Sequence, residues 1–191
     1  MPAINKKLTE SAGAIIDNIA NPSPLGLFGF GMTTILLNVH NVGLLGFDSM
    51  IMAMGICYGG IAQVIAGIFE FKKKNTFGAT AFTSYGFFWL SLVVLIILPK
   101  LGLGAMATDQ ALAMYLFLWG VFTTGMFAAT MRSAMELRWI FATLAILFFM
   151  LSFADFTGIA VVKTFAGIEG IVCGSLSVYY GFKQIYLETY K

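Results

Sequence analysis

Six stretches of this chain, each close to twenty residues long, hold almost no charge, and little sequence is left between them. They run from Leu25 to Leu45, Ser49 to Phe71, Phe77 to Leu98, Gln110 to Met131, Arg138 to Gly158 and Lys163 to Phe182. About 20 apolar residues in a helix, at ~1.5 Å of rise each, cross the ~30 Å hydrocarbon layer of a bilayer. A soluble domain carries about 25% charged residues to keep its surface wet. Here the share is 10%, against 59% hydrophobic. The chain is therefore expected to be an all-α integral membrane protein with six transmembrane helices.

The rest divides simply into an N-terminal segment of residues 1–24, the helical domain of residues 25–182, and a tail of residues 183–191. "LTESAGAIIDNIA" sets Leu8, Ile15, Ile16 and Ile19 among polar residues, as an amphipathic helix on a membrane surface would; a loosely ordered tail fits equally well. The segment lacks the apolar core and cleavage site of a signal peptide, so the first span is expected to be retained. With six spans, one side of the membrane collects Lys6, Lys7, Lys72, Lys73, Lys74, Arg132, Arg138, Lys183 and Lys191, and the other only Lys100 and Lys163. The positive-inside rule then puts both termini in the cytoplasm.

Several function classes drop out at this point. No soluble domain is left to house a conventional enzyme. Cys57 and Cys173 show no CxxC or Cys/His spacing and read as small packing residues. His40 is the single histidine and has no ligand cluster around it, so neither a metal nor a cofactor is expected. The net charge of +2 gives no reason to expect a nucleic-acid partner.

The stretch "NPSPLGLFGFGMTT", Asn21 to Thr34, is where chemistry enters. Asn21 and Ser23 each precede a proline and are pushed toward extended geometry. Pro24 suits a first helical turn, with Ser23 as its N-cap. A helix start presents unpaired N–H groups and the positive end of the helix dipole, which favours carboxylates. Gly26, Gly29 and Gly31 leave room for a solute or for a neighbouring helix. Interrupted helix starts place anions at membrane transport sites; the same residues could also simply turn the chain into the bilayer.

Further along, Phe30, Thr34, Asn38 and Asn41 share one helical face with Thr33 beside them. A polar stripe on an otherwise apolar span faces protein or water rather than lipid. In the third span Thr80, Ser84 and Ser91 share a face bordered by Tyr85; the second span carries Gln63, and the fourth Thr123 and Thr124. Ser and Thr can bond back to their own helix, but the buried amides of Asn38 and Gln63 need other partners. Ionisable groups near the membrane are few. His40 suits either a structural hydrogen bond or a proton-linked role, Glu70 is expected to ion-pair with nearby Lys72, Asp155 sits near the outer end, and Glu169 lies too deep for easy snorkelling. Gly55 and Gly59, and Ala166, Gly170 and Gly174, have the spacing of close helix packing.

"ANPSPLGLFGFGMTTILLNVHNVG", "AMGICYGGIAQVIAGIFEFKKKNTFGATAFTSYGFFWL" and "PKLGL" together resemble the acetate uptake transporter family, and the NPxPLGL signature is specific to it. The resemblance implies a multi-pass plasma (inner) membrane protein: six helices around a pore in each protomer, a bundle like that of urea and amide channels, assembled as a homo-hexamer. It also implies passage of acetate and similar carboxylates, succinate included, through a constriction of Phe30, Tyr85 and Leu144. Ser23 and Glu169 depart from the family pattern, which is expected to hold a small apolar residue at the first and an apolar one at the second.

The expected mechanism is a constricted pore. Acetate would gather at the vestibule formed by Asn21, Pro22, Pro24, Leu25, Gly26 and Leu27. It would then pass the constriction, exchanging water for the hydroxyls of Thr33, Thr34, Ser84 and Tyr85 and the amides of Asn38 and Gln63. Transport is either channel-like or proton-coupled, with His40 and Glu169 as the candidate proton-linked groups. Two rivals remain: a channel for a small neutral solute such as urea or ammonia, and a membrane subunit with no flux of its own.

Overall fold

The computed structural model describes residues 19–190, all of whose regular structure is helical. Six long helices form: α1 (Ser23–Asn41), α2 (Ser49–Lys72), α3 (Thr76–Lys100), α4 (Asp109–Ala129, continued by a 3-10 turn at Thr130–Arg132), α5 (Met135–Thr157) and α6 (Ala160–Thr189). Five are long and apolar enough by themselves to cross a membrane, α2 to α6. The shorter α1, at ~1.5 Å per residue about 28 Å long, is the polar one. It buries Thr33, Thr34 and Asn38 inside the bundle, so its polarity never meets lipid. The reading of residues 8–20 as an amphipathic helix lies outside the described residues except at Ile19 and Ala20, which are not helical. Residues 183–189, expected in the tail, continue α6.

The helices close into a ring. α1 packs along α6, α6 along α5 and α5 along α4, while α2 packs on both α1 and α3. The α1–α6 seam is close because both helices lack side chains where they touch: a Cβ on Gly174 would stand 2.7 Å from the Gly31 carbonyl oxygen, and one on Gly170 would stand 2.2 Å from Asn38 Cγ. Small residues of this kind let van der Waals packing bind helices where lipid offers no hydrophobic gain. α3 and α4 meet chiefly through side chains. The Tyr85 hydroxyl lies 2.9 Å from Thr123 Oγ1, the Ser91 hydroxyl 2.7 Å from that of Tyr115, and Phe88 stacks on Tyr115. Outward faces carry Ile61, Phe87, Leu118, Ile146 and Val172, all exposed, as a bilayer solvent requires.

Several details depart from expectation. Ser23 is the first helical residue rather than the cap; the cap position falls on Pro22, and the Asn21 side-chain oxygen accepts the Ser23 N–H at 3.1 Å. Extended geometry enforced by Pro24 is thus overridden at Ser23 by this local bond. Glu70 does not pair with Lys72, whose ammonium sits 4.9 Å from the Phe69 ring centroid. Instead Glu70 is buried at 2% exposure, accepting from the Ser23 hydroxyl and, at 2.7 Å, from the Asn75 amide. Cys173 is buried as expected, but Cys57 is exposed and packs no interior. The middle of α2, Gly55–Ala62, is a π-helix, a wider turn that the sequence periodicity does not announce and that shifts the phase of everything after it.

Candidate functional site

Inside the ring lie two cavities. The first opens on the face where α1 begins, α6 ends, and Glu70 gathers Ser23 and Asn75. Its volume is about 170 Å³, enough for several waters or one small solute. Phe30 from α1, Tyr85 from α3 and Leu144 from α5 all stand in its wall, together with Leu27 and Gln63. The three constriction candidates, which lie on three different helices, are nearly fully buried at 6%, 3% and 3% exposure, and the Phe30 and Tyr85 rings are 6.0 Å apart. The remaining polar groups of the wall are neutral: Ser23, Asn75, Ser177, Tyr180 and Gln184.

The second cavity, of about 180 Å³, opens on the opposite face. It is bounded by the next residues along the same three helices: Leu37 on α1, Phe88 on α3 and Leu151 on α5. Between the two cavities therefore runs a barrier three to seven residues thick along each helix, roughly 5–10 Å. Its aromatic packing is dense, with Phe88 ring centroids 5.1 Å from Phe148 and 5.2 Å from Trp119. Thr34 sits on α1 between the levels of Phe30 and Leu37, and its buried hydroxyl oxygen has no hydrogen-bond partner among the described residues. Thr34 lines neither cavity.

The other expected site residues divide. Gln63 lines the first cavity, 1% exposed, with its amide oxygen buried and unpartnered among the described residues. Asn21 stands at the rim, donating to Gln184 Oε1 at 3.0 Å and to Glu188 Oε1 at 2.7 Å. Gly26 admits the Phe82 ring, which would lie 2.5 Å from a Cβ there; Phe82 in turn lines the cavity. Pro22 and Pro24 are buried in the helix start without lining it, and Leu25 points outward. Thr33 faces α2, with its hydroxyl 3.4 Å from the Met54 carbonyl. Asn38 fills the α1–α6 seam at Gly170, donating to the Thr34 carbonyl and accepting from Asn41. Ser84 lies in a shallow outer groove between α3 and α4. Thr33, Asn38 and Ser84 are thus set apart from both cavities, because a helical stripe fixes a face but not the neighbour that face meets.

His40 lines the second cavity, its Nδ1 2.9 Å from the Leu45 carbonyl and its ring edge-on to Phe47. Glu169 lies on α6 one turn before Cys173, with both carboxylate oxygens buried and unpartnered among the described residues. Residues the sequence reading did not single out are Phe88, three positions after Tyr85 in "SYGFFW", and Ser177, whose hydroxyl donates to the Leu27 carbonyl at 2.8 Å. The first could have been found as the next ring on the Tyr85 face; the second is a cross-helix bond with no local signal.

Comparison with known proteins bears on what this path carries. The GPR1/FUN34/yaaH family profile matches residues 7–190. The chain is 52% identical over 172 residues to the succinate-acetate/proton symporter SatP of Escherichia coli (strain K12), covering 90% of this chain and 92% of that protein. It is 37% identical over 182 residues to ammonia transport outward protein 2 of Saccharomyces cerevisiae, covering 91% of this chain and 64% of that one. Among solved structures, that of the bacterial acetate channel SatP matches with a TM-score of 0.89 at 52% identity, over 90% of this chain and 95% of the other.

Proposed function

This chain belongs to the GPR1/FUN34/yaaH family, and from that premise we propose that it carries acetate and related short carboxylates, succinate among them, through the two-chambered path. The observation that carries the reading is the first cavity, closed by Phe30, Tyr85 and Leu144, with a mostly apolar wall whose polar groups are all neutral hydroxyls and amides. A methyl group slides past Phe30 and Leu144, while the carboxylate trades water for the Nε2–H donors of Gln63. Among the described residues no fixed cation lines this cavity, so the anion is held weakly enough to leave. The chain is a transport protein and not an enzyme.

The reading places it as a multi-pass inner-membrane protein with both termini cytoplasmic, supported by the nine-to-two bias of basic residues, and as a homo-hexamer, supported by the family resemblance. For a proton-coupled mechanism, Glu169 is the stronger candidate and His40 the weaker. The carboxylate of Glu169 is buried with no donor among the described residues to balance it, a condition that marks ionisable groups in membranes as functional, whereas His40 already has a carbonyl partner.

Current through the purified protein in a planar bilayer, at about pH 8 where little neutral acid leaks, with unequal sodium acetate on the two sides, tests the proposal. A current reversing near the acetate equilibrium potential and altered in Phe30→Ala supports an anion-conducting pore. Silence in the bilayer combined with acetate accumulation driven by a pH gradient supports symport, and that accumulation is then expected to be lost in Glu169→Gln. Flux of ammonia or urea without acetate would overturn the assignment.

A further inference from the structure

The second cavity holds a feature that passage through the constriction does not use. At its rim Lys163 Nζ lies 3.0 Å from Asp155 Oδ1. The pair is a product of the turn between α5 and α6. Gly158, at φ +71, ends α5 in the left-handed conformation that glycine tolerates, and the chain reverses so that two residues eight apart face each other. Both line the cavity. Their environments differ: the Lys163 side chain is 44% exposed and that of Asp155 10%. The carboxylate lies within, and the ammonium reaches over the opening toward water.

We propose that Lys163 captures the carboxylate of the transported solute at this mouth, with Asp155 as its resident counter-ion; the inference rests on the carboxylate-transport reading above. A lysine ammonium has three donors, and Asp155 occupies one. Lys163 is the one lysine or arginine among the described residues that line the cavity, most of which are apolar, Leu37, Ile51, Trp89 and Leu116 among them. With Asp155 at 3.0 Å the pair carries no net charge, so Lys163 acts on an anion at short range, through its two free donors. Asp155 moderates the capture. With it the mouth is neutral overall, so a carboxylate that shares the ammonium leaves again readily; without it the solute would be held longer. This complements the first cavity, where neutral dipoles suffice because the anion is already inside.

The experiment measures initial rates of labelled acetate uptake against concentration, using the full chain reconstituted with this face outward. Lys163→Gln is expected to raise the half-saturation concentration about three- to tenfold, the range of a partly exposed charge interaction, and to flatten its rise between about 20 and 300 mM NaCl, over which the screening length shrinks. Lys163→Arg keeps the wild-type value within about twofold. Asp155→Asn moves the half-saturation concentration the opposite way, lowering it. Opposite signs are what a structural bridge does not give, since cutting it from either end removes the same bond. Half-saturation unchanged in both variants, or shifted in the same direction, with wild-type acetate uptake intact, overturns the capture role alone. Absence of acetate uptake by the wild type overturns the transport reading and this inference with it.

Discussion

The two cavities are nearly equal in volume and unlike in chemistry. The first, on the face where Glu70 gathers Ser23 and Asn75, has a wall of apolar residues, Phe30, Phe141 and Leu144 among them, into which only neutral hydroxyls and amides are set. The second is apolar almost throughout, with its charges confined to Asp155 and Lys163 and its one imidazole turned to a backbone carbonyl. On the proposed reading one compartment handles an anion with neutral dipoles beside the barrier, the other with a paired lysine at the opening. A path built this way places strong attraction where solvent can still compete and weak attraction where it cannot, which is how a membrane passage stays permeable.

The most severe test of the comparison is to fill the first cavity and leave the second alone. Leu144→Trp puts a larger side chain into a site where Leu144 is 3% exposed. Overpacking costs about 1–3 kcal/mol, which, imposed on the conducting state, slows acetate flux roughly fivefold to a hundredfold. Initial uptake rates in proteoliposomes check it; a rate near wild type would mean the solute does not pass this wall.

Next in size is the support of that cavity. Glu70 holds Ser23 and Asn75, both in the wall, and Asn75 also caps α3 through the Gly78 N–H at 3.1 Å. Glu70→Gln keeps an oxygen for the Asn75 amide but removes the acceptor that takes the Ser23 hydroxyl proton, a loss of about 1–3 kcal/mol. The expected fall in melting temperature in detergent is roughly 3–10 °C, while the half-saturation of acetate entering from the second mouth stays unchanged.

How far these features could be read in advance follows from what a sequence encodes locally. The six helices were legible because uncharged length alone dictates a span. The convergence of Phe30, Tyr85 and Leu144 on one cavity was anticipated through resemblance, and for the first two also through polar faces. Asn38 stands apart from both cavities for a physical reason. Its amide sits on the expected stripe, but Gly170 on α6 offers it a socket, and only the partner helix reveals that. Gln63 lies beyond a π-helical turn that rotates its face, so a regular spacing of 100° per residue does not lead to its place in the cavity wall. The Asp155–Lys163 pair depends on the chain reversal at Gly158, and Glu70 on two residues from other segments; neither shows in any one segment.

A smaller effect is expected from Gln63→Leu, which keeps the volume and removes the unpartnered amide from the first cavity. Its oxygen satisfies no bond among the described residues, so the fold gains little from it, while its Nε2–H groups are donors a carboxylate can use. Removing one neutral hydrogen-bonding partner is worth about 1–1.5 kcal/mol, or roughly tenfold in acetate rate, with thermal stability equal to or above wild type. Reduced stability at an unchanged rate would assign Gln63 to structure instead, and would leave the first cavity with fewer working dipoles than the comparison requires.

The smallest change separates ring from hydroxyl at the barrier. Tyr85 supplies a wall through its ring, and its hydroxyl is engaged with Thr123, whose own hydroxyl donates to the Trp119 carbonyl at 2.7 Å. In that arrangement the tyrosine is the donor, and Tyr85→Phe leaves Thr123 with its carbonyl bond intact and one acceptor site idle. The cost is expected near the low end of about 0.5–1.5 kcal/mol, giving acetate rates within about threefold of wild type and unchanged preference among short carboxylates. Tyr85→Ala removes the ring as well and is expected to admit larger carboxylates. Should Tyr85→Phe instead cost tenfold or more at unchanged stability, the hydroxyl must turn from Thr123 to the solute during passage. The barrier would then belong with the first cavity as part of its polar lining rather than stand as an apolar divide between the two.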